Sequence, residues 1–189
     1  GIFDDNTAKG IGGGGIFVAQ NTALTIVGSE IKNNHASGEV DYSGVTYGNG
    51  GGIYNESSLT ISDALSALEG TAAKDYISTY AGTISYTKIH NNSAAAHGGG
   101  ICSSGELRGA DTQTTSIFIT NAEINNNAAT INGGGMAVMK SALNISGGSI
   151  HNNASSNGNG GGIFCTNLES TAETPCIITG TEIYSNKAL

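Results

Sequence analysis

One phrase recurs along this chain and constrains its fold more than any other feature. It is a glycine run ending on an apolar residue, then an apolar-x-apolar triplet, then an Ile-x-x-Asn-x-Ala segment. The copy that begins at Gly133 reads Gly133-Gly134-Gly135-Met136, Leu143-Asn144-Ile145 and Ile150-His151-Asn152-Asn153. Other glycine runs open at Gly12, Gly50, Gly98 and Gly160 and end on Ile16, Ile53, Ile101 and Ile163. The triplet recurs as Leu24-x-Ile26, Leu59-x-Ile61, Ile117-x-Ile119 and Cys176-x-Ile178, and an anchor recurs at Phe3, Ile31, Ile89, Ile124, Ile150 and Ile183. Three residues beyond each anchor stands an asparagine: Asn6, Asn34, Asn92, Asn127, Asn153 and Asn186.

The tightest copy separates Ile124 from Ile150 by 26 residues. A period in the twenties, with three short alternating segments per copy, is the pattern of a β-solenoid. Helical repeats place apolar residues three and four apart, and these copies do not. The expected fold is all-β: a right-handed parallel β-helix of three strands per turn and about five turns. No single turn buries its own inward residues; stacked turns share one core. Equivalent residues then lie about 4.8 Å apart, so the anchors form an apolar column. The six asparagines form a structural amide ladder at a corner, where Asn tolerates left-handed backbone. Thirty glycines among 189 residues fit such corners, where positive φ or close backbone approach is needed.

The chain reads as one repeat domain, 1–189, interrupted by insertions at 37–49, 62–82, 103–116 and 166–175. Within the second, Ala64–Tyr76 has the composition of a short helix. Insertions in a solenoid emerge as loops and often carry the contacts with ligands. Tyr76 and Tyr80 lie in such a loop, and Tyr54 lies on a rung beside an inward Ile. These three tyrosines are the candidate ligand contacts. Phe17, Tyr54, Cys102, Ala137 and Phe164 share that outward position, where they either pack beneath the insertions or stand bare as a grip for sugar rings or a partner.

The pairing of Gly-Gly-x-Ile with Phe-x-x-Asn resembles the repeats of chlamydial polymorphic membrane proteins and related bacterial surface β-helices. Phe3-Asp4-Asp5-Asn6 matches the second motif outright, while later copies carry Ile in place of Phe. The resemblance implies a right-handed parallel β-helix from a secreted or cell-surface passenger, often adhesive. It implies no catalytic residue.

Composition narrows the partners. A net charge of −8 with seven Lys and Arg argues against nucleic acid, whose binding depends on neutralising phosphates. There is no 18-residue apolar run for direct membrane insertion. No cofactor motif and no metal-site spacing is present; His90 and His151 share an outward position but Asn125 separates them. The sharpest enzymatic reading is the column before the anchors: Glu30, Lys88, Glu123, Ser149 and Glu182. Glu30 and Glu123, two turns apart at about 9.6 Å, approach the spacing of an inverting glycosidase. Lys88 between them favours a plain charge ladder instead. A lyase would need clustered carboxylates and a base, but Arg108 and the aspartates outside the rungs are scattered.

Cys165 and Cys176 flank the last insertion. They would close it as a disulfide if they face each other across adjoining strands, and a free thiol pair fits the sequence equally well. Both termini fall inside a turn, which predicts either a piece of a longer surface protein or a unit that stacks end to end. The function expected is a non-enzymatic extracellular or cell-surface scaffold that displays loops to a host or matrix protein or glycan. The alternatives are a carbohydrate-binding or carbohydrate-active β-helix and a self-assembling filament subunit.

Overall fold

The architecture was read from a computed structural model that describes residues 1–39, 47–63, 86–105, 115–166 and 175–189. The expected helix over Ala64–Tyr76, the candidate contacts Tyr76 and Tyr80, and Arg108 lie outside these residues. The described part is a right-handed parallel β-helix, with every strand pairing parallel to its counterpart one turn away.

Each turn has three sides. The first is built from β3 (Ile16–Val18), β7 (Ile53–Asn55), β11 (Ile101–Ser104), β15 (Met136–Met139) and β19 (Ile163–Thr166). The second comprises β4 (Ala23–Val27), β8 (Ser58–Ser62), β12 (Thr115–Thr120), β16 (Ser141–Ser146) and β20 (Cys176–Thr179). The third opens with β1 (Ile2–Asp4), β5 (Glu30–Lys32), β9 (Lys88–His90), β13 (Glu123–Asn125), β17 (Ser149–His151) and β21 (Glu182–Tyr184). It then bends into the two-residue strands β2 (Thr7–Ala8), β6 (His35–Ala36), β10 (Ser93–Ala94), β14 (Ala128–Ala129), β18 (Ala154–Ser155) and β22 (Lys187–Ala188). Four parallel sheets, two of six strands and two of five, therefore run along the axis.

Strands of two to six residues have little stability alone, so register is set by the columns. Phe3 pairs with Ile31, Ile31 with Ile89, Ile89 with Ile124, Ile124 with Ile150 and Ile150 with Ile183. Columns from all three sides meet in one apolar core that includes Ile53, Leu59, Ile61, Ile89, Ile117, Ile124, Met136 and Ile145. A slip of one residue would turn each of these outward. Strand pairing also reaches into the edges of the expected insertions, since Ser62, Ser103, Ser104, Thr115, Ser116 and Thr166 are strand residues.

The asparagine ladder is continuous. The Nδ2 of Asn6 donates to Oδ1 of Asn34 at 2.8 Å, and the same bond links Asn34 to Asn92, Asn92 to Asn127, Asn127 to Asn153 and Asn153 to Asn186 at 2.9–3.0 Å. Each acceptor oxygen also receives the backbone N–H of the previous asparagine, as from Asn92 to Asn127 at 3.0 Å. The second Nδ2 proton goes to an anchor carbonyl one turn back, as from Asn127 to Ile89 at 2.8 Å. An interior amide thus uses both donors and accepts twice, so its burial leaves no polar atom unmet. Asn34, Asn92, Asn127 and Asn153 are each only 1% exposed.

The left-handed backbone at this corner falls one residue earlier than expected. Positive φ, between 52° and 56°, is found at Asp5, Asn33, Asn91, Asn126, Asn152 and Ser185. The ladder residues themselves are not among the positive-φ positions. Left-handed geometry turns the chain at the first member of each pair, which aims the second inward. The two demands that the sequence reading assigned to one Asn are divided between neighbours.

The glycine run divides its work similarly. Gly133 has φ +67°, whereas its neighbour Gly134 is needed for close approach, because a Cβ there would lie 2.3 Å from the Ala154 carbonyl carbon.

Candidate functional site

The outer face of the third side carries two side-chain columns. One runs Glu30, Lys88, Glu123, Ser149, Glu182, in the register expected. The other, two residues on, runs Lys32, His90, Asn125, His151, Tyr184. The columns are cross-linked along the strands and, through the two histidines, diagonally between turns. Lys32 Nζ lies 3.0 Å from Glu30, and His90 Nε2 donates to the same carboxylate at 2.9 Å. Lys88 lies 3.3 Å from Glu123, which also accepts from Asn125 at 2.8 Å and from His151 at 3.2 Å. His151 in turn stacks on Tyr184, with ring centroids 4.8 Å apart and planes 4° from parallel. The two histidines therefore engage separate glutamates rather than each other.

Hydrogen bonds from His90 and Lys32, with the Lys32 charge, hold the Glu30 carboxyl below the usual carboxylate range. The same contact raises Lys32. A glycosidase acid needs the opposite shift, a carboxyl kept protonated near neutral pH, so Glu30 is poorly suited to that role. Among the described residues, no three His, Cys, Asp or Glu side chains gather as metal ligands.

A groove follows the corner between the second and third sides. The corner column there is Gly28, Tyr86, Asn121, Gly147 and Gly180. Four of these adopt positive φ, from 49° at Gly28 to 67° at Gly147. Tyr86 is the one large residue in this row and is 46% exposed. With small residues above and below it, the ring stands between two hollows of about 420 Å³ each. Gly28, Ser29, Glu30 and Lys88 line one; Asp63, Asn121, Glu123, Ser149 and Glu182 line the other. Asp63, at the end of the described second-side segment, is buried. Tyr86 is not among the candidate contacts drawn from the sequence, although a tyrosine in a row of Gly and Asn is a visible signal once the corner is aligned.

Tyr54, proposed above as a ligand contact, is fully buried. It packs with Cys102 and Ala137 in a second apolar cluster with Ile11, Met139 and Phe164, and Phe17 stacks on it at 5.6 Å. The column does leave the main core as its alternation requires, but it is largely covered, and packing accounts for Tyr54. Phe17 alone stays well exposed, at 45%.

Cys165 and Cys176 do face each other. Their sulfurs lie 2.9 Å apart as free thiols, and the third cysteine, Cys102, is buried away from them. Comparison of the chain with protein-family models, curated proteins and solved structures finds no match.

Proposed function

We propose that this chain is a non-enzymatic extracellular display scaffold, a stiff rod that holds loops and an outer face toward a host or matrix ligand. The supporting observation is the unbroken buried amide ladder, which ties every turn to the next through side chains as well as backbone. Turns joined at the strands and again at a corner resist bending and twisting, the property a presenting rod needs. The resemblance to bacterial surface β-helices supplies the setting, outside the cell. The test is to shorten the segments 64–85 and 106–114 to Gly-Ser links and measure binding to panels of matrix proteins and glycans. Loss of binding with β-structure intact supports display. Undiminished binding by the shortened rod, or release of reducing sugar from a polysaccharide, overturns it.

A second reading, a carbohydrate-binding rod, is favoured by Tyr86. An exposed aromatic ring flanked by carboxylates, an amide and hydroxyls is the combination that holds a sugar, with apolar ring faces on the aromatic and hydroxyls on the polar groups. The carboxylates Glu123 and Glu182 beside Lys88 favour neutral or amino sugars over uronic acids. In isothermal titration with neutral oligosaccharides, Tyr86→Ala weakens binding roughly tenfold and leaves the thermal midpoint unchanged. Equal affinity of the variant rules the groove out.

A further inference from the structure

We infer that Cys165 and Cys176 are a cystine site, oxidised to an intramolecular disulfide that closes the root of the last insertion. Cys165 continues the first-side column of Val18, Asn55, Ser103 and Val138. Cys176 continues the second-side column of Leu24, Leu59, Ile117 and Leu143. Both side chains thus approach one corner from adjoining sides. In the turn before, that corner holds Val138 and Leu143, two members of the apolar core.

The sulfurs are already 2.9 Å apart. A disulfide requires about 2.0 Å, so a movement of about 0.9 Å completes the bond. Partial desolvation, with the hydrogen bond to Cys176, pushes the Cys165 thiol up to about 12, and the exposed position of both cysteines leaves them within reach of a disulfide reagent such as oxidised glutathione. One cysteine thiolate attacks the reagent, forms a mixed disulfide and expels one reduced glutathione thiolate. The second cysteine, losing its proton, attacks the protein sulfur of the mixed disulfide and expels the other. Two cysteine thiols are oxidised, one glutathione disulfide is reduced to two thiols, and both protons end on glutathione or solvent. Cys102 is excluded by position: it belongs to the second apolar cluster with Tyr54, and burial raises its thiol too.

The bond would join the first and second sides of the turn covalently and fix both ends of the 167–174 segment. It suits the oxidising setting proposed for the scaffold but rests on the thiol geometry rather than on display, and its test reads disulfide linkage alone.

The whole chain is equilibrated with glutathione at about −200 mV, the poise of an oxidising secretory compartment, then alkylated under denaturing conditions. It is digested with a protease that cuts after glutamate. Glu169 and Glu173 lie between the two cysteines, so the peptides bearing Cys165 and Cys176 separate unless bonded. The expected result is one linked pair that resolves into two peptides on reduction, with the Cys102 peptide alkylated throughout. Cys102→Ser retains the linked pair and Cys176→Ser abolishes it. Separate, alkylated Cys165 and Cys176 peptides from unreduced wild-type protein overturn the assignment, as does linkage through Cys102 or between chains.

Discussion

The two faces of the third side occupy the same three-residue strands and their following corner, yet they obey different rules. Its inward edge carries Asn at all six levels, buried at the four interior ones, with each amide bonded to the next along the ladder. Its outer face carries Glu, Lys, Glu, Ser and Glu in one row and Lys, His, Asn, His and Tyr in the other, held by pairs along a strand, up a column and across the diagonal that differ from turn to turn. Dielectric surroundings account for the contrast. Inside, an amide without partners forfeits a full desolvation penalty, so only a residue with two donors and a twofold acceptor repeats indefinitely. Outside, water substitutes for any missing partner, and a pair contributes about 1 kcal/mol or less. Strict repetition marks what every turn must supply; variation marks what individual turns are free to use.

That contrast can be broken most sharply at Asn127. Replacement by Asp keeps the acceptor but removes both Nδ2 donors and sets a carboxylate against Asn153 Oδ1 and the Ile89 carbonyl. Asn127→Asp is expected to cost about 3 kcal/mol or more, read as a lowered denaturation midpoint, and Asn127→Ala nearly as much. A loss under 1 kcal/mol in both would show that the ladder is ornamental.

The adjacent residue gives a smaller effect. Asn126 supplies left-handed backbone, φ 52°, and a bond to Asn125 at 2.7 Å. Glycine adopts that geometry freely, so Asn126→Gly is expected to cost about 1 kcal/mol or less. Equal losses at 126 and 127 would erase the division of labour between the paired asparagines.

The smallest effect belongs to the outer face. Because the folded Glu30 carboxyl lies below its ordinary 4.5, its ionised form is favoured by folding. Its contribution is present above that value and is lost as pH falls through the folded value below it. Glu30→Gln is expected to lower stability by about 0.5 kcal/mol at neutral pH. The difference from wild type disappears on acid titration below pH 4.5. A difference that grows on acidification would contradict the assigned partners.

Much of the comparison was legible before any coordinates. The columns of Ile, the amide ladder and the register of Glu30, Lys88 and Glu123 follow from spacing alone, because a solenoid converts sequence period directly into spatial stacking. Three things were not legible. Tyr54 alternates away from the core, but alternation says only which face a residue takes, and not that Ile11 and Met139 cover it. The partner of His90 is Glu30, one turn back and two residues aside, a diagonal contact that side-chain length decides. Tyr86 becomes a candidate only when Gly28 and Asn121 are seen beside it at the corner.

The repeat, the direction each rung residue faces and the line along which asparagines stack are all written in the order of residues, since these depend on local periodicity repeated in phase. Tertiary structure alone decided which outward residues are covered, which charges meet diagonally and whether two cysteines 11 residues apart bring their sulfurs within 2.9 Å. Those outcomes depend on how corners turn and insertions leave the rod, and neither carries a period from which distances can be read.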